Sequence, residues 1–497
     1  MNILIYSHIA LWTIHHAETV EIALKHLAEG DDVYILSCDG DLVSCPANSN
    51  HDKSLCLSCK HQTDYTLKEI LKNKVHDLRV SLYHDKLTFP EFSSLNELVE
   101  FKFNDIPFGE LVASQLVDDE RDCFFSLDKK QLKVCEMLSN SISLYKHTRQ
   151  IIKDKKIDKT YVWNGRRSAD GPVCYAARDQ GVSCEVYISG GKRSTYITLA
   201  ALKVHDLTAN KVLMDKLYEQ AIENNGMELV NQEALSFFKT QRYGGANYPG
   251  YIHFAQEFKD VPDVINNERK KIVIFTSSYW ENFGMSDYRG VCYVDHYDGI
   301  KKILREESIF TQNDLIVRWH PNLKTCGDSE RKVIDKVIRE SSENAIHYPP
   351  ESNVDSYKLI DIADVVITFG STMGIEANFY GKPSILLGRS LYEDLGACYQ
   401  PESHSELVNL LSGKLPPLPK TGSIKYGFYI VNCGQNYFKY LKQVDSWNFT
   451  YKNKSLQKIN PKTWRQMIKI QIIKSLKLLK LYDIVRYTAI SIRGFKN

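Results

Sequence analysis

Asp364-Val365-Val366-Ile367-Thr368-Phe369-Gly370-Ser371-Thr372-Met373-Gly374-Ile375-Glu376-Ala377 is an apolar run that ends in a small, hydroxyl-bearing turn and passes directly into a helical pattern. The run reads as a buried strand of a parallel sheet, because it is short, β-branched and bounded by glycine. Free backbone N–H groups at the start of the following helix, with the Ser371 and Thr372 hydroxyls, suit a phosphate or diphosphate. Gly370 and Gly374 let a ligand approach the backbone closely. Glu376, in the first turn, is placed either to meet ribose hydroxyls or simply to favour the helix dipole. Gly381-Lys382-Pro383 then leads into a further strand, Ser384-Ile385-Leu386-Leu387-Gly388.

Working outward, the same alternation covers the second half of the chain, with strands at 272–276, 314–319, 364–368 and 384–388. Helices fall near 297–306, 329–340, 355–362, 373–380 and 404–412. Asp314-Leu315-Ile316-Val317-Arg318-Trp319-His320-Pro321 puts Arg318 and His320 at the carboxyl end of one of these strands, where open α/β sheets bind ligands, and Pro321 stops the strand there. Ser277 and Ser278 end the first strand of this half and are placed to contact a nucleotide by the same rule. In the first half, residues 2–6, 33–36, 159–163 and 184–188 read as strands, and 16–29, 66–73, 130–153 and 173–180 as helices. Between about 207 and 268 the pattern gives helical pieces around 210–240 and then a Pro/Asn/Gly-containing stretch. The reading is therefore an α/β protein of two facing, doubly wound, Rossmann-like domains with a cleft between them. Residues 1–255 form the first domain and 268–430 the second. Helices and a basic tail follow over 431–497.

The motifs of the second half, taken in order, resemble the nucleotide-sugar half of bacterial capsule and surface-polysaccharide biosynthesis glycosyltransferases. They are Arg318-Trp319-His320-Pro321, Ser356-Tyr357-Lys358-Leu359-Ile360 before Ala363-Asp364, the run from Gly370 to Ala377, and Gly381-Lys382-Pro383. That group includes Kdo transferases, polysialyltransferases with their His-Pro motif and, more distantly, teichoic-acid polymerases. The resemblance implies a GT-B fold, with the donor nucleotide on the C-terminal domain, held through Arg318, His320, Gly370, Ser371, Thr372, Gly374, Glu376, Ser277 and Ser278, and the acceptor on the N-terminal domain. It tilts the donor towards CMP-linked acidic sugars such as Kdo. It further implies a lipid-linked or oligosaccharide acceptor. Two other readings share the architecture: a nucleotide-sugar epimerase of the UDP-GlcNAc 2-epimerase type, and a non-catalytic polysaccharide-assembly protein that retains a nucleotide pocket.

Glycosyl transfer needs a base facing the donor. Candidates are His15, His16 and Glu18 in the first strand-to-helix connection, and Asp39 after the second strand. Polysialyltransferase-like enzymes use an acid before glycine, and Asp39-Gly40 matches the last two positions of that pattern, with Cys38 where a second acid is usual. Asn164 and Arg166, after the strand 159–163, face the cleft on this reading, and Arg166 can hold an anionic sugar or acceptor phosphate. Cys38, Cys45, Cys56 and Cys59, in the loop 38–61, are clustered four in 22 residues among twelve cysteines in the chain. They fit either a structural zinc site or free thiols with a redox pair. The transfer chemistry itself requires no metal, because a helix N-terminus and cations can stabilise the leaving nucleotide.

The chain has 497 residues and a formal charge of +2, which excludes a uniformly basic nucleic-acid binder. That near-neutrality is a cancellation: residues 451–497 hold twelve Lys or Arg and one acid, a stretch of +11 on a body of −9. From 462 onward the tail projects as a basic amphipathic helix with Trp464 on its apolar arc, the pattern of an interfacial anchor on anionic lipid. With no secretory h-region at the start and no long apolar stretch, the expected location is cytoplasmic, peripheral on the inner face of a bacterial plasma membrane.

Overall fold

The computed structural model describes residues 1–43, 45–82, 87–244, 260, 268–341, 345–434 and 436–457. The first domain is built on β1 (Asn2–Ser7), β2 (Asp32–Ser37), β3 (His76–Arg79), β4 (Lys159–Trp163), β5 (Ser183–Ser189) and β6 (Thr195–Leu199). The second is built on β7 (Lys270–Phe275), β8 (Asn313–Arg318), β9 (Ala345–Tyr348), β10 (Val365–Thr368) and β11 (Ser384–Leu386). Successive residues of β1 point to opposite faces, and both faces are apolar. Leu4 and Tyr6 join one core cluster, while Ile3 and Ile5 join another. In β7, Ile272 and Ile274 divide from Val273 and Phe275 in the same way. A strand buried on both sides belongs at the centre of a parallel sheet covered by helices, and β1 and β7 are central.

The first sheet runs β3-β2-β1-β4-β5-β6, extended beyond β6 by β12 (Asn436–Tyr437). Pairing is parallel from β3 through β5 and antiparallel at β6 and β12. The second sheet runs β11-β10-β7-β8-β9 and is parallel throughout. Both sheets reverse their winding beside the first strand, between β1 and β4 in one domain and between β7 and β10 in the other. The two-unit α/β architecture read from the sequence is present. Strands 159–163 and the helix His404–Ser412 fall where the patterning puts them.

Two helices cross between the domains. Leu207–Tyr243 leads out of the first domain and is kinked at Gly226, with φ 80° and ψ 161°. Thr421–Asn432 leads back, packed alongside it: Phe428 is buried with Val230 and Ala234, and the Tyr429 hydroxyl donates to Asn210 Oδ1 at 2.7 Å. A Cβ at Gly427 would lie 2.7 Å from the Phe238 ring, so glycine allows this close approach. The returning chain is then fastened by the buried carboxylate of Glu21, which accepts the backbone N–H groups of Lys439, Tyr440 and Leu441. Helices were expected from 431 onward, but 436–457 forms short strands that cover the first domain with Leu441, Phe449 and Leu456. The expected amphipathic helix over 462–497 lies outside the described residues.

Candidate functional site

Each winding reversal brings two strand ends side by side, those of β1 and β4 in one sheet and of β7 and β10 in the other, and open α/β sheets bind ligands at such points. In the first domain, His8 follows β1, and Asn164-Gly165-Arg166-Arg167 follows β4. Asn164 and Gly165 both take left-handed backbone, with φ 65° and 82°. A Cβ on Gly165 would stand 2.1 Å from the Leu202 carbonyl oxygen, so only glycine fits there. The turn leads through Asp170, whose Oδ1 accepts the Arg167 N–H at 2.8 Å, into the helix Gly171–Asp179.

A buried polar cluster results. Arg167 donates through Nε and a terminal nitrogen to Asp118 at 2.9 and 2.8 Å, and its guanidinium lies over the Trp163 ring. Arg166 reaches the same carboxylate at 3.4 Å and donates across the domain junction to the Glu281 carbonyl oxygen. His8 stacks on Tyr6, with Nε2 4.0 Å from Asp170 Oδ2. Burial lowers the His8 imidazole to about 3, helped by Arg167. Burial raises the Asp170 carboxyl to about 7, against the pull of Arg167 and Arg166. Both nitrogens of His8, Asn164 Oδ1, Arg166 Nε, a terminal nitrogen of Arg167, Asp170 Oδ2 and His205 Nδ1 are buried without a hydrogen-bond partner among the described residues. Orphaned buried polar atoms are rare, and their concentration at one strand end sets this polar cluster apart from the rest of the core.

Across the junction, Ser277 Oγ donates to the Phe369 carbonyl at 3.2 Å, joining the ends of β7 and β10. His320 caps the short turn Pro321–Thr325: its Nδ1 accepts the Asn322 N–H at 3.2 Å and lies 3.2 Å from Ser278 Oγ. Nε2 is left without a protein partner among the described residues. Burial, with Arg318 nearby, lowers this imidazole to about 4, so it meets a ligand as the neutral ring. Gly370 has φ 108°, and a Cβ there would come within 2.9 Å of the Arg389 carbonyl oxygen. Ser371 Oγ accepts the Met373 N–H at 3.3 Å and Thr372 is exposed. A Cβ on Gly374 would lie 2.7 Å from Thr368 Oγ1, which makes that glycine a packing requirement rather than a ligand approach.

Several expected roles are redirected. The Arg318 side chain is buried and donates to the Pro349 and Ser352 carbonyl oxygens at 2.8 and 3.1 Å, so it fastens a loop beneath the site. Glu376 is buried with its carboxyl on the Tyr357 hydroxyl and Thr372, and burial raises it to about 7. Asp39 is ion-paired to Lys60 at 3.0 Å and Arg79 at 2.9 Å. Although burial opposes it, those two cations hold its carboxyl below the ordinary range, which weakens it as a base. Glu18 is fully buried, accepting from Ser189 Oγ and facing His15 Nδ1 at 3.0 Å. His16 is buried on Thr66 Oγ1 at 2.8 Å. Thus Asn164 and Arg166 are gathered at one switch point and Ser277, Ser278, His320 and Gly370 at the other, while Asp39 and His16 are directed elsewhere. Sequence reasoning missed His8, Asp118 and Asp170. Asp170 had a signal, since it too is an acid before a glycine, just after a strand end.

Comparison with known proteins adds the following. No curated protein matches the chain. Among solved structures, the chain is similar to the beta Kdo 2,4 transferase KpsC of Thermosulfurimonas dismutans, at 13% identity and TM-score 0.34 over 55% of this chain and 79% of that one. It is also similar to the UDP-GlcNAc 2-epimerase of Neisseria meningitidis, at 12% identity and TM-score 0.29 over 88% and 98% of the two chains. A glycosyltransferase of Rickettsia africae is 11% identical, with TM-score 0.26 over 87% of this chain and 95% of that one. Residues 189–414 match the family model described as capsule polysaccharide biosynthesis protein. That span runs from the end of β5 to past the helix His404–Ser412, a little under half of the chain, and over it the chain is similar to that family.

Proposed function

We propose that the protein is a glycosyltransferase of capsule or surface-polysaccharide biosynthesis, moving a sugar from a nucleotide-sugar donor to a lipid-linked or oligosaccharide acceptor. The observation that carries this reading is the set of orphaned buried polar atoms at the β1/β4 switch point, linked to the turn that carries His320 through Glu281, whose carbonyl accepts from Arg166 and whose carboxylate accepts from the Asn322 amide at 3.3 Å. A sugar presents hydroxyls to such atoms, and an acidic sugar adds a carboxylate for Arg166 and Arg167. On the donor side, neutral His320 Nε2 and the Gly370-Ser371-Thr372 turn meet the nucleotide phosphate. In the transfer step the acceptor hydroxyl gives its proton to Asp170 as its oxygen bonds the anomeric carbon. The bond to the phosphate breaks, and the nucleotide leaves with the electron pair. A carboxyl held near 7 by burial is matched to that duty.

The acidic-sugar donor, with CMP as its nucleotide, follows from the two guanidinium groups and the His320-Pro321 pair. The basic stretch 462–497 would bring the enzyme to an anionic membrane surface, where lipid-linked acceptors reside. The test is a thermal-shift screen of CMP, UDP, GDP and CDP on wild type and His320→Ala, followed by turnover of the matching nucleotide sugar with and without acceptor. Stabilisation by one nucleotide that His320→Ala abolishes, with nucleotide release only when acceptor is present, supports the proposal. Interconversion of UDP-GlcNAc without acceptor replaces it with the epimerase reading, and binding without turnover replaces it with the assembly-protein reading.

A further inference from the structure

Residues 436–457 set an aromatic and basic surface on an acidic body. The segment holds four lysines, Lys439, Lys442, Lys452 and Lys454, and one acid, Asp445. All four lysines are exposed, with Lys454 also paired to Glu69 at 3.2 Å. Large apolar side chains stand in water among them: Tyr437 is 67% exposed, Val444 61% and Trp447 57%. Val444 and Trp447 share one tight turn, closed by the Val444 N–H on the Asn448 carbonyl at 2.8 Å. Asp445 is engaged inside that turn, where its carboxyl accepts the N–H groups of Trp447 and Asn448 at 2.8 and 2.9 Å and the Asn448 amide at 2.7 Å.

The turn is firmly mounted. β13 (Lys442–Gln443), β14 (Phe449–Tyr451) and β15 (Lys454–Ser455) pair antiparallel into a small sheet. Leu441, Phe449 and Leu456 pack its inner side into the first domain. The Gln62 amide donates to the Leu456 carbonyl at 2.8 Å, the Tyr65 hydroxyl to the Ser455 carbonyl at 2.9 Å, and Glu21 holds the backbone where it arrives. The sheet thus buries three of its apolar residues and holds Val444 and Trp447 outside. One exposed apolar residue needs no explanation. A tryptophan and a valine on one fixed turn among lysines have the composition of a membrane interface, where the indole sits at headgroup level and lysines meet lipid phosphates.

Charge selects the occupant. Residues 1–450 carry −9, and the +11 stretch begins at Tyr451, the last residue of β14. The basic surface and the basic sequence that follows it call for an anionic partner, and the apolar tip calls for a non-aqueous layer. An anionic bilayer supplies both, whereas a nucleic acid supplies the charge but no apolar layer for Val444. We propose that the turn 444–448 and the lysines of the small sheet form a membrane-docking surface that enters the headgroup layer of a bilayer rich in anionic lipid. Docking here orients the enzyme. Gln443 and Ser446 line one depression with Lys192, Arg193 and Ser194, beyond the carboxyl end of β5. β5 pairs with β4, whose own carboxyl end leads into the Asn164–Arg166 turn. The carboxyl edge of the first sheet is thereby brought towards the bilayer that holds a lipid-linked acceptor. That consequence rests on the glycosyltransferase reading; the docking itself does not.

The test is sedimentation of the full chain with vesicles of phosphatidylglycerol and phosphatidylcholine in equal parts, without donor or acceptor. Wild type should bind these vesicles and not vesicles of phosphatidylcholine alone. Val444→Ser with Trp447→Ser should weaken binding at least about fivefold, and so should Lys442→Glu with Lys452→Glu. Leu132→Ser, 83% exposed on the helix Gln131–Asp154, should leave it unchanged. All these side chains stand in water, so the melting temperatures should match wild type. No binding by wild type overturns the proposal. So does a loss of less than fivefold in the Val444/Trp447 variant, which would leave the basic stretch 462–497 as the anchor. Stabilisation by nucleotide, measured on the same variants, should be unchanged, so failure of docking and failure of the glycosyltransferase reading are told apart.

Discussion

Asp170→Asn separates what a buried carboxyl does for chemistry from what it costs the fold. Asparagine keeps the oxygen that accepts the Arg167 N–H at 2.8 Å and removes the titrating group. Burial raises that group from 3.8 to about 7, a difference that corresponds to about 4 kcal/mol at 1.36 kcal/mol per pH unit. Because the folded-state value lies above the unfolded one, the folded protein holds this proton longer. Stability is therefore greatest below about pH 4, declines as pH rises, and has lost the full amount above about pH 7. The variant does not titrate at this position. Relative to wild type it should gain about 2 to 3 kcal/mol between pH 5 and pH 8, measured by urea unfolding at the two pH values. Turnover, followed as nucleotide release from the donor, should fall by about 10²–10⁴, and the acid limb near pH 7 should disappear from the profile. A variant that keeps more than a tenth of wild-type turnover refutes the base assignment. A stability difference that is flat with pH refutes the burial argument beneath it.

Other substitutions probe the surrounding scaffold. Asp39→Asn should change turnover less than threefold, because a carboxylate held low by Lys60 and Arg79 is a poor base; a loss beyond a hundredfold in steady-state assays would restore it as the candidate. Gly165→Ala should destabilise the first domain by about 2 kcal/mol or more, since alanine would need left-handed backbone as well as room beside Leu202; calorimetry reads this. Arg318→Lys gives up the paired bonds to Pro349 and Ser352 and should cost about 3 kcal/mol, while the fraction that remains folded still binds nucleotide. Were Arg318→Lys to lose nucleotide binding with an unchanged melt, the guanidinium would be a ligand contact after all.

The sheet centres were legible because strands such as Val365–Thr368 and Lys159–Trp163 are apolar on both faces and end in glycine-containing turns. The edges were not. Ala345–Tyr348 and His76–Arg79 are four residues each and only partly apolar, and Phe108–Glu120, buried at every one of its first ten residues, lacks the amphipathic stripe that announces a helix. In the site, residue type was legible but direction was not. Arg318 and His320 sit two apart at the same strand end, yet one turns under the β9 loop and the other lies against Ser278. Asp170 escaped notice because its importance comes from burial, which only the packing of β1 beside β4 creates. The cysteine cluster was visible as a cluster, but that all four side chains line one pocket beside His8 is a property of the folded loop.

The two helices that cross between the domains impose a constraint of their own. A single tether would leave two bodies free to swivel as well as to part. Two tethers lying side by side, pinned by Tyr429 on Asn210 and by Glu21 on the returning backbone, restrict both. The junction is also bonded directly, by the Cys123 N–H on Glu330 and the Ser329 N–H on Asp122, both at 2.9 Å, so the helix pair is one of several connections that fix how the two domains face each other. Alignment of the two switch points is thus inherited in part from helix packing far from either, and a side chain at Gly427, 2.7 Å from the Phe238 ring, would disturb it without touching the site.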